Sequence, residues 1–375
     1  MKKVLVPRVR FKGFYEEWKE DTIGNIANIT NGKLDANAMV KSGMYNFYTS
    51  GIDVYKIDKY SFEGEGISIA GNGVNMGYMH LVSGKYNAYQ RTYILNNIKI
   101  DRHFLFYNLW KNFWEFCQKN TREGSIPYLL YNDISDFKIF KSHSNEQQKI
   151  GKLLENIDNL ISLEEIKLNK LKQVKETLLQ KMFPEGNSKT PRIRFRGFNE
   201  EWKEEKLNDI FKVITGGEPP KNYKNSKHPV GKYKYPIYSN GQEANAIWGF
   251  SDNYSINTEA ITISSIGTIG FPVVRKMFFT PIIRLKTLLP YNKNMNINFL
   301  NLSVSQINFS FNQAGIPSMN SNQLKDNIIL ISRNFSEQQK IGDFFCKIDT
   351  LINLYNSKLN KLKQIKEGLL QKMFV

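Results

Sequence analysis

Two long stretches of this chain occur twice. PRVRFKGFYEEWKE at 7–20 returns as PRIRFRGFNEEWKE at 191–204. EQQKIGKLLENIDNLISLEEIKLNKLKQVKETLLQKMF at 146–183 returns as EQQKIGDFFCKIDTLINLYNSKLNKLKQIKEGLLQKMF at 337–374. The 375 residues are therefore one unit of about 185 residues used twice, because self-similarity at a fixed period marks a repeated structural unit. Each copy runs from a divergent globular segment into a long helix. Such a chain folds into two similar heads on two nearly identical arms, and differences in what it recognises fall in the heads.

The arms carry apolar residues at three- and four-residue steps, which lays a stripe along one helix face. In the first arm the stripe is Ile150, Leu153, Leu154, Ile157, Leu160, Ile161, Leu168, Leu171, Val174, Leu178 and Met182. In the second it is Ile341, Phe344, Phe345, Ile348, Leu351, Ile352, Leu359, Leu362, Ile365, Leu369 and Met373. Asn145 with Gln148, and Ser336 with Gln339, have the spacing of N-terminal capping boxes, and Pro184 stops the first helix. Each helix spans about 35 residues, roughly 50 Å at 1.5 Å per residue. The nearest complementary stripe is the other arm, and a duplicated unit with pseudo-two-fold symmetry pairs its helices antiparallel. Glu164 and Tyr355 sit at equivalent mid-helix positions where polarity interrupts the stripe, a pattern that can fix register.

The heads, about 1–144 and 191–335, are fainter repeats. YNFYTSG at 45–51 echoes YPIYSNG at 235–241, ISIAGNGVNMGY at 67–78 echoes ITISSIGTIGF at 261–271, and REGSIPYL at 122–129 echoes NQAGIPSM at 312–319. Short β-branched runs between Gly, Asn and Ser loops predict mostly strand with turns, and helices are expected near 102–119 and 295–307. The second head has extra Lys- and Tyr-rich sequence near 216–235.

A formal net charge of +17 and a pI near 9.5 point to a polyanionic partner. An AT-rich genome would also enrich Lys, Asn, Phe and Tyr. Lys and Arg neutralise phosphates without reading sequence, whereas Asn, Gln, Ser and Arg can read base edges. Candidate contacts are Lys33, Tyr48, Ser50, Asn72, Asn75, Gln90, Arg91 and Arg122 in the first head. In the second they are Lys221, Tyr223, Lys224, Ser239, Asn240, Ser264, Ser265 and Thr268. Gly71, Gly73, Gly267 and Gly270 read as turn glycines rather than a phosphate cradle.

Signals for chemistry are missing. Gly-Lys at 32, 84, 151 and 231 is followed by Leu or Tyr, so there is no P-loop. There is no Asn/Asp-Pro-Pro-Tyr/Phe motif of a DNA amino-methyltransferase, no HExxH site, and no paired carboxylates suited to two-metal cleavage. Cys117 and Cys346 build neither a disulfide framework nor a CxxC site, and His80, His103, His143 and His228 lack ligand spacing. No run reaches transmembrane length and the start lacks a long apolar core, so a cytoplasmic protein with no membrane partner is expected.

In this order, twice, the motifs resemble those of the specificity subunits of Type I restriction–modification systems. The resemblance covers the whole chain. It rests on the FxGF…EW boxes (Phe11, Gly13, Phe14, Trp18; Phe195, Gly197, Phe198, Trp202), the EQQKIG helix starts and the LKxxKxxLLQKMF helix ends. It implies an α+β fold: two mixed α/β target-recognition domains separated by an antiparallel pair of long helices (a coiled coil), with an internal pseudo-two-fold repeat. The expected bounds are 1–144 and 191–335 for the two target-recognition domains. Spacer helices are expected at 145–183 and 336–375, with a linker at 184–190. It also implies a non-catalytic subunit that reads a bipartite double-stranded DNA site and docks two modification (methyltransferase) subunits, which restriction–translocation subunits join. S-adenosylmethionine, ATP and Mg²⁺ are then expected on partner subunits and none on this chain. Heads roughly 50 Å apart would sit about one and a half DNA turns apart. The competing readings are a stand-alone DNA-binding or scaffold protein without a methyltransferase partner, and an enzyme whose motifs escape recognition.

Overall fold

The computed structural model describes residues 5–119, 126–241, 246–292, 294–312 and 315–375. The chain divides into two compact units, Met1–Lys167 with Asn356–Val375, and Leu168–Tyr355. Each unit is one head plus part of both long helices, which run Ser144–Met182 and Phe335–Met373.

The two heads have the same architecture. In the first, a four-stranded antiparallel sheet has the order Asn28–Asn31, Thr92–Asn96, Gly66–Ala70, Met79–Val82. In the second, Phe211–Thr215, Lys286–Pro290, Ala260–Ile263 and Pro272–Arg275 repeat that order. A second sheet in each head contains a parallel pair, Tyr45–Tyr48 with Lys85–Ala88, and Tyr235–Tyr238 with Thr280–Pro281. Divergence falls at the edges of this sheet. The first head adds Phe62–Glu63 beside Lys85–Ala88, and the second adds Tyr223–Lys224 beside Ile247–Ser251, within its extra sequence. Helices Arg102–Lys119 and Ile297–Ser305 fall within the two ranges where helices are expected. In the first head Leu105, Leu109 and Phe113 of its helix pack on Ile67, Ile69 and Leu95 of the sheet.

A two-stranded ribbon closes each head. Lys19–Thr22, just after the EW box, pairs with Lys138–Lys141, just before the first long helix, and Lys203–Lys206 pairs likewise with Ile328–Ile331. Chain entry and exit of each head are thereby brought side by side at the helix start.

The duplicated motifs meet at that junction. Arg10 donates from Nε (2.6 Å) and a terminal nitrogen (2.9 Å) to the buried Glu146 carboxylate, and Arg194 does the same to Glu337 at 2.5 and 2.8 Å. These glutamates hold the third helical position, where a capping box would use them. The expected caps at Asn145 and Ser336 are accordingly displaced outward. Glu146 and Gln147 donate their backbone N–H to the His143 carbonyl, and Asn334 accepts from the backbone N–H of Ser336 and Glu337. The next residue of each EQQKIG string ties down the head helix. Gln147 accepts from the Asp101 N–H and donates to the Ser142 carbonyl, and Gln338 does so with Asn296 and Ser332. Lys149 and Lys340 then lie over the rings of Phe14 and Phe198 from the FxGF boxes.

The glycine that ends each string is there for space. A Cβ on Gly342 would stand 2.3 Å from Asn296 Oδ1, and one on Gly151 would stand 2.4 Å from Asp101 Oδ1. Those oxygens cap the head helices through the N–H of Phe299 and Phe104. Gly to Ala in a helix ordinarily stabilises by about 0.5–1 kcal/mol. Gly342→Ala is expected instead to destabilise by about 1–2 kcal/mol, the value of the displaced cap. Chemical unfolding reads the sign directly, with Gly368→Ala, where a Cβ meets nothing within 4 Å, as the control.

Within each unit the two long helices run antiparallel. In the first unit Asp158 pairs with Lys366 at 2.6 Å and Glu165 with Lys363 at 2.7 Å, and in the second Lys175 pairs with Asp349 at 2.5 Å. Asp158–Lys366 and Asp349–Lys175 join the same two motif positions in the two copies. Glu164 faces inward. It accepts from Lys358 at 3.0 Å and Lys167 at 3.3 Å, contacts that hold its carboxyl below the usual range, and its second oxygen is buried without a partner among the described residues. The matching Tyr355 is half-buried. The apolar stripe is broader than the seam it fills. Leu160, Val174, Leu351 and Ile365, expected on the seam, are exposed, because two helices alone cover only a narrow strip of each face.

Candidate nucleic-acid interface

The loops at one end of each sheet converge. In the first head the Gly32 N–H donates to the Thr92 carbonyl, Gln90 to Leu34, Tyr89 to Tyr48, Gly71 to Arg91, and Gly73 to Pro127. Five loops are thus tied into one tip. Ser50 donates to Asn72 Oδ1 at 2.5 Å across two of them. Lys33, Gln90 and Arg91 are exposed there, while Ser50, Asn72 and Asn75 are half-buried. Asn31, Gly71, Gln90, Arg91, Tyr93 and Leu129 line a cleft of about 290 Å³. Tyr48 is buried instead. It ends a strand whose last two residues, Phe47 and Tyr48, are both buried, and it lies edge-on to Tyr86 at 5.7 Å; burial raises its phenol pKa. Arg122 lies outside the described residues.

The second tip repeats this wiring with other side chains. Ile282 donates to the Tyr238 carbonyl, Ile283 to Gly217 and Arg284 to Gly216. Asn240, which matches Ser50 in the repeat, donates to the Ile283 carbonyl and accepts from the Ser265 N–H at 2.8 Å. Ser264 and Ser265 are buried, and Ser265 donates its hydroxyl to the Arg284 carbonyl at 2.7 Å, so both build the tip from beneath. Ser239 and Thr268 are half-buried. Lys221, Tyr223 and Lys224 are exposed on the added edge strand and its approach, with Tyr223 against Trp248 at 4.6 Å. Gly73, Gly267 and Gly270 have φ of 83°, 73° and 86°, the turn conformation expected of them.

Two second-head residues that sequence reasoning missed complete this tip. Arg284 occupies the position of Arg91, since RTYIL at 91–95 aligns with RLKTL at 284–288 once Leu95 and Leu288 are seen opposite Ile67 and Ile261. Ile283 and Arg284 have φ of 52° and 60°, a left-handed pair without glycine. Such residues cost on the order of 1–3 kcal/mol each and persist where surroundings over-determine them. Here four hydrogen bonds do so and leave both side chains exposed. Lys286, at the position of Tyr93, is buried at 5% exposure.

Each head therefore presents an arginine and polar loop residues on a rigid, wired tip, on a strongly basic chain. Among the described residues no group of three or more His, Cys, Asp or Glu could hold a metal ion, and no helix is long and apolar enough to cross a membrane. The family model "Type I restriction modification DNA specificity domain" matches residues 15–173 and again 199–364. The chain belongs to that family, the non-catalytic DNA-binding subunits that direct partner methyltransferase and restriction subunits.

Relatives agree. The chain is 33% identical over 162 residues to the specificity subunit of the Escherichia coli Type I restriction enzyme EcoDI, covering 43% of this chain and 35% of that one. It is 28% identical over 353 residues, 92% of both chains, to a Mycoplasma pneumoniae protein named as a Type I specificity subunit. The crystal structure of the S subunit from M. genitalium superposes with a TM-score of 0.74 at 18% identity, covering 99% of each chain. A chain from a study of Type I complex assembly and conformational transition gives 0.52 at 14% identity, over 97% of this chain and 99% of that one. These likenesses establish the fold of two mixed α/β domains and paired long helices.

Proposed function

We propose that the two tips each read one half of a bipartite double-stranded DNA site, with residues 1–144 and 191–335 as the reading modules and the long helices as spacer. The observation that carries this reading is the matched wiring of the tips. Around Arg91 the backbone bonds Tyr89 to Tyr48, Gly32 to Thr92 and Gly73 to Pro127 recur around Arg284 as Ile282 to Tyr238, Gly216 to Leu285 and Gly267 to Pro317, while Gln90, Ser50 and Tyr93 are exchanged for Ile283, Asn240 and Lys286. A common frame with different side chains is what two different half-sites require. The contacts are those of the exposed and half-buried candidates, supplemented by Arg284, with Tyr48, Ser264 and Ser265 acting as supports.

Two modification subunits dock, one per unit, and restriction–translocation subunits join them. Support comes from a repeated apolar trio. Leu160, Leu163 and Ile365 are exposed in the first unit, and their counterparts Leu351, Leu354 and Val174 in the second. Exposed apolar patches mark interaction surfaces, and two equal patches suit two copies of one partner better than a stand-alone DNA-binding protein. S-adenosylmethionine, ATP and Mg²⁺ serve those partners.

Exchanging residues 191–335 for those of another family member, in complex with the modification subunit, is expected to change one half of the methylated motif and leave the other. If both halves change, modular reading is wrong.

A further inference from the structure

The ammonium of Lys286 lies beneath the surface of the second tip, and among the described residues its hydrogen-bonding partners are two hydroxyls. Nζ donates to Thr215 Oγ1 at 3.1 Å and to Ser321 Oγ at 2.9 Å, and those two hydroxyls are 3.2 Å from each other. Among the described residues no carboxylate lies within ion-pair distance of it. Burial lowers its pKa, and another cation, Arg284, lowers it further.

A buried charge is ordinarily paired, because desolvation costs more than neutral partners return. An ammonium has three donors, and two are used here. The left-handed Ile283–Arg284 turn lies two residues before it and leaves the Arg284 side chain exposed. The first head has no cation at this register. Tyr93 stands there and donates its hydroxyl to the Leu129 carbonyl at 3.0 Å.

We propose that Lys286 is a specificity-determining residue of the second head, whose third donor is held for an acceptor on a base edge of the second half-site. The major-groove edge of guanine, with O6 and N7, offers that chemistry, and lysine is among the side chains that read it. The inference rests on the reading of the tips as DNA-binding. Tyr93, at the same register, gives the first head a neutral group where the second has a charge, so the two half-sites differ at the matched base.

The test is the methylation motif left on genomic DNA by the full chain with its modification subunits, wild type against Lys286→Met and Lys286→Gln. Both variants remove the charge, and the second keeps a polar group for the two hydroxyls. The expected result is a motif relaxed at one base of one half-site, the other half unchanged, with discrimination at that base falling about ten-fold or more. The free variant proteins should melt no lower than wild type, since an unpaired buried charge has been removed. A motif unchanged in both variants would overturn the proposal. So would a uniform loss across sequences with a salt slope shallower by about one, which describes a phosphate contact. A lowered melting temperature with the motif intact would make Lys286 structural. A wild-type complex that leaves no bipartite motif would sink the two-half reading and this inference together, whereas a wild-type motif that survives in the variants sinks this inference alone.

Discussion

Glu337→Ala is expected to destabilise the protein by about 3–5 kcal/mol, the usual effect of removing one member of a buried ion pair. The Glu337 carboxylate is fully buried and Arg194 meets it with two parallel N–H donors. Without the carboxylate, a guanidinium 13% exposed has lost its acceptor, and no other carboxylate among the described residues pairs with it. Glu146→Ala should cost a similar amount, because Arg10 holds it with the same geometry in the other unit. The double replacement Arg194→Met with Glu337→Leu should recover most of the loss, since an apolar pair of similar volume avoids desolvating two charges. Urea unfolding of the full chain measures all three against the wild type. If Glu337→Ala cost less than about 1 kcal/mol, the range of an exposed pair, the pair would not be the anchor it is taken to be.

Trp202→Ala is expected to cost about 3–5 kcal/mol, as for other buried large aromatics. Its ring packs edge-on against Phe183 at 5.4 Å and Phe299 at 5.3 Å, joining the EW box, the end of the first long helix and the head helix. Trp18 repeats this with Phe374 at 6.1 Å and Phe104 at 5.4 Å. Each tryptophan therefore packs on the helix that enters its unit from the other copy. That explains why the EW boxes and the QKMF ends are alike in both copies. Both indole N–H groups are buried without an acceptor among the described residues. Trp202→Phe should consequently be mild, below about 1.5 kcal/mol, because the lost area is offset by relief of an unpaired donor. A Trp202→Phe loss as large as that of Trp202→Ala would show that the indole N–H has a partner such as water.

The residues that joined the architecture together were plain in the sequence, and their reasons were not. EQQKIG announced a helix start from its spacing. That its glutamate serves an arginine 136 residues away, and its glycine a neighbouring helix cap, depends on contacts no local pattern encodes. The tip was legible in part. Ser50, Asn72, Gln90, Arg91 and Asn240 stood out as polar residues beside turn glycines, and they do converge. Tyr48, Ser264 and Ser265 looked the same locally, but they end strands whose pleat or loop turns them under the surface. Lys286 was missed because nothing in the local sequence marks a lysine as buried. Thr215 and Ser321, 71 and 35 residues away, cover it. Arg284 carried a usable signal, the alignment of RTYIL with RLKTL, but it emerges only when the strand register is known.

The central claim is that this chain selects a two-part DNA sequence for a partner to modify. The most direct test is the genome-wide adenine methylation of cells with and without this gene, the modification subunit being present in both. The account predicts a motif of two short specified halves separated by an unspecified gap, present with the gene and gone without it. A methylation pattern identical in the two strains, with the modification subunit shown to bind this chain, would contradict it.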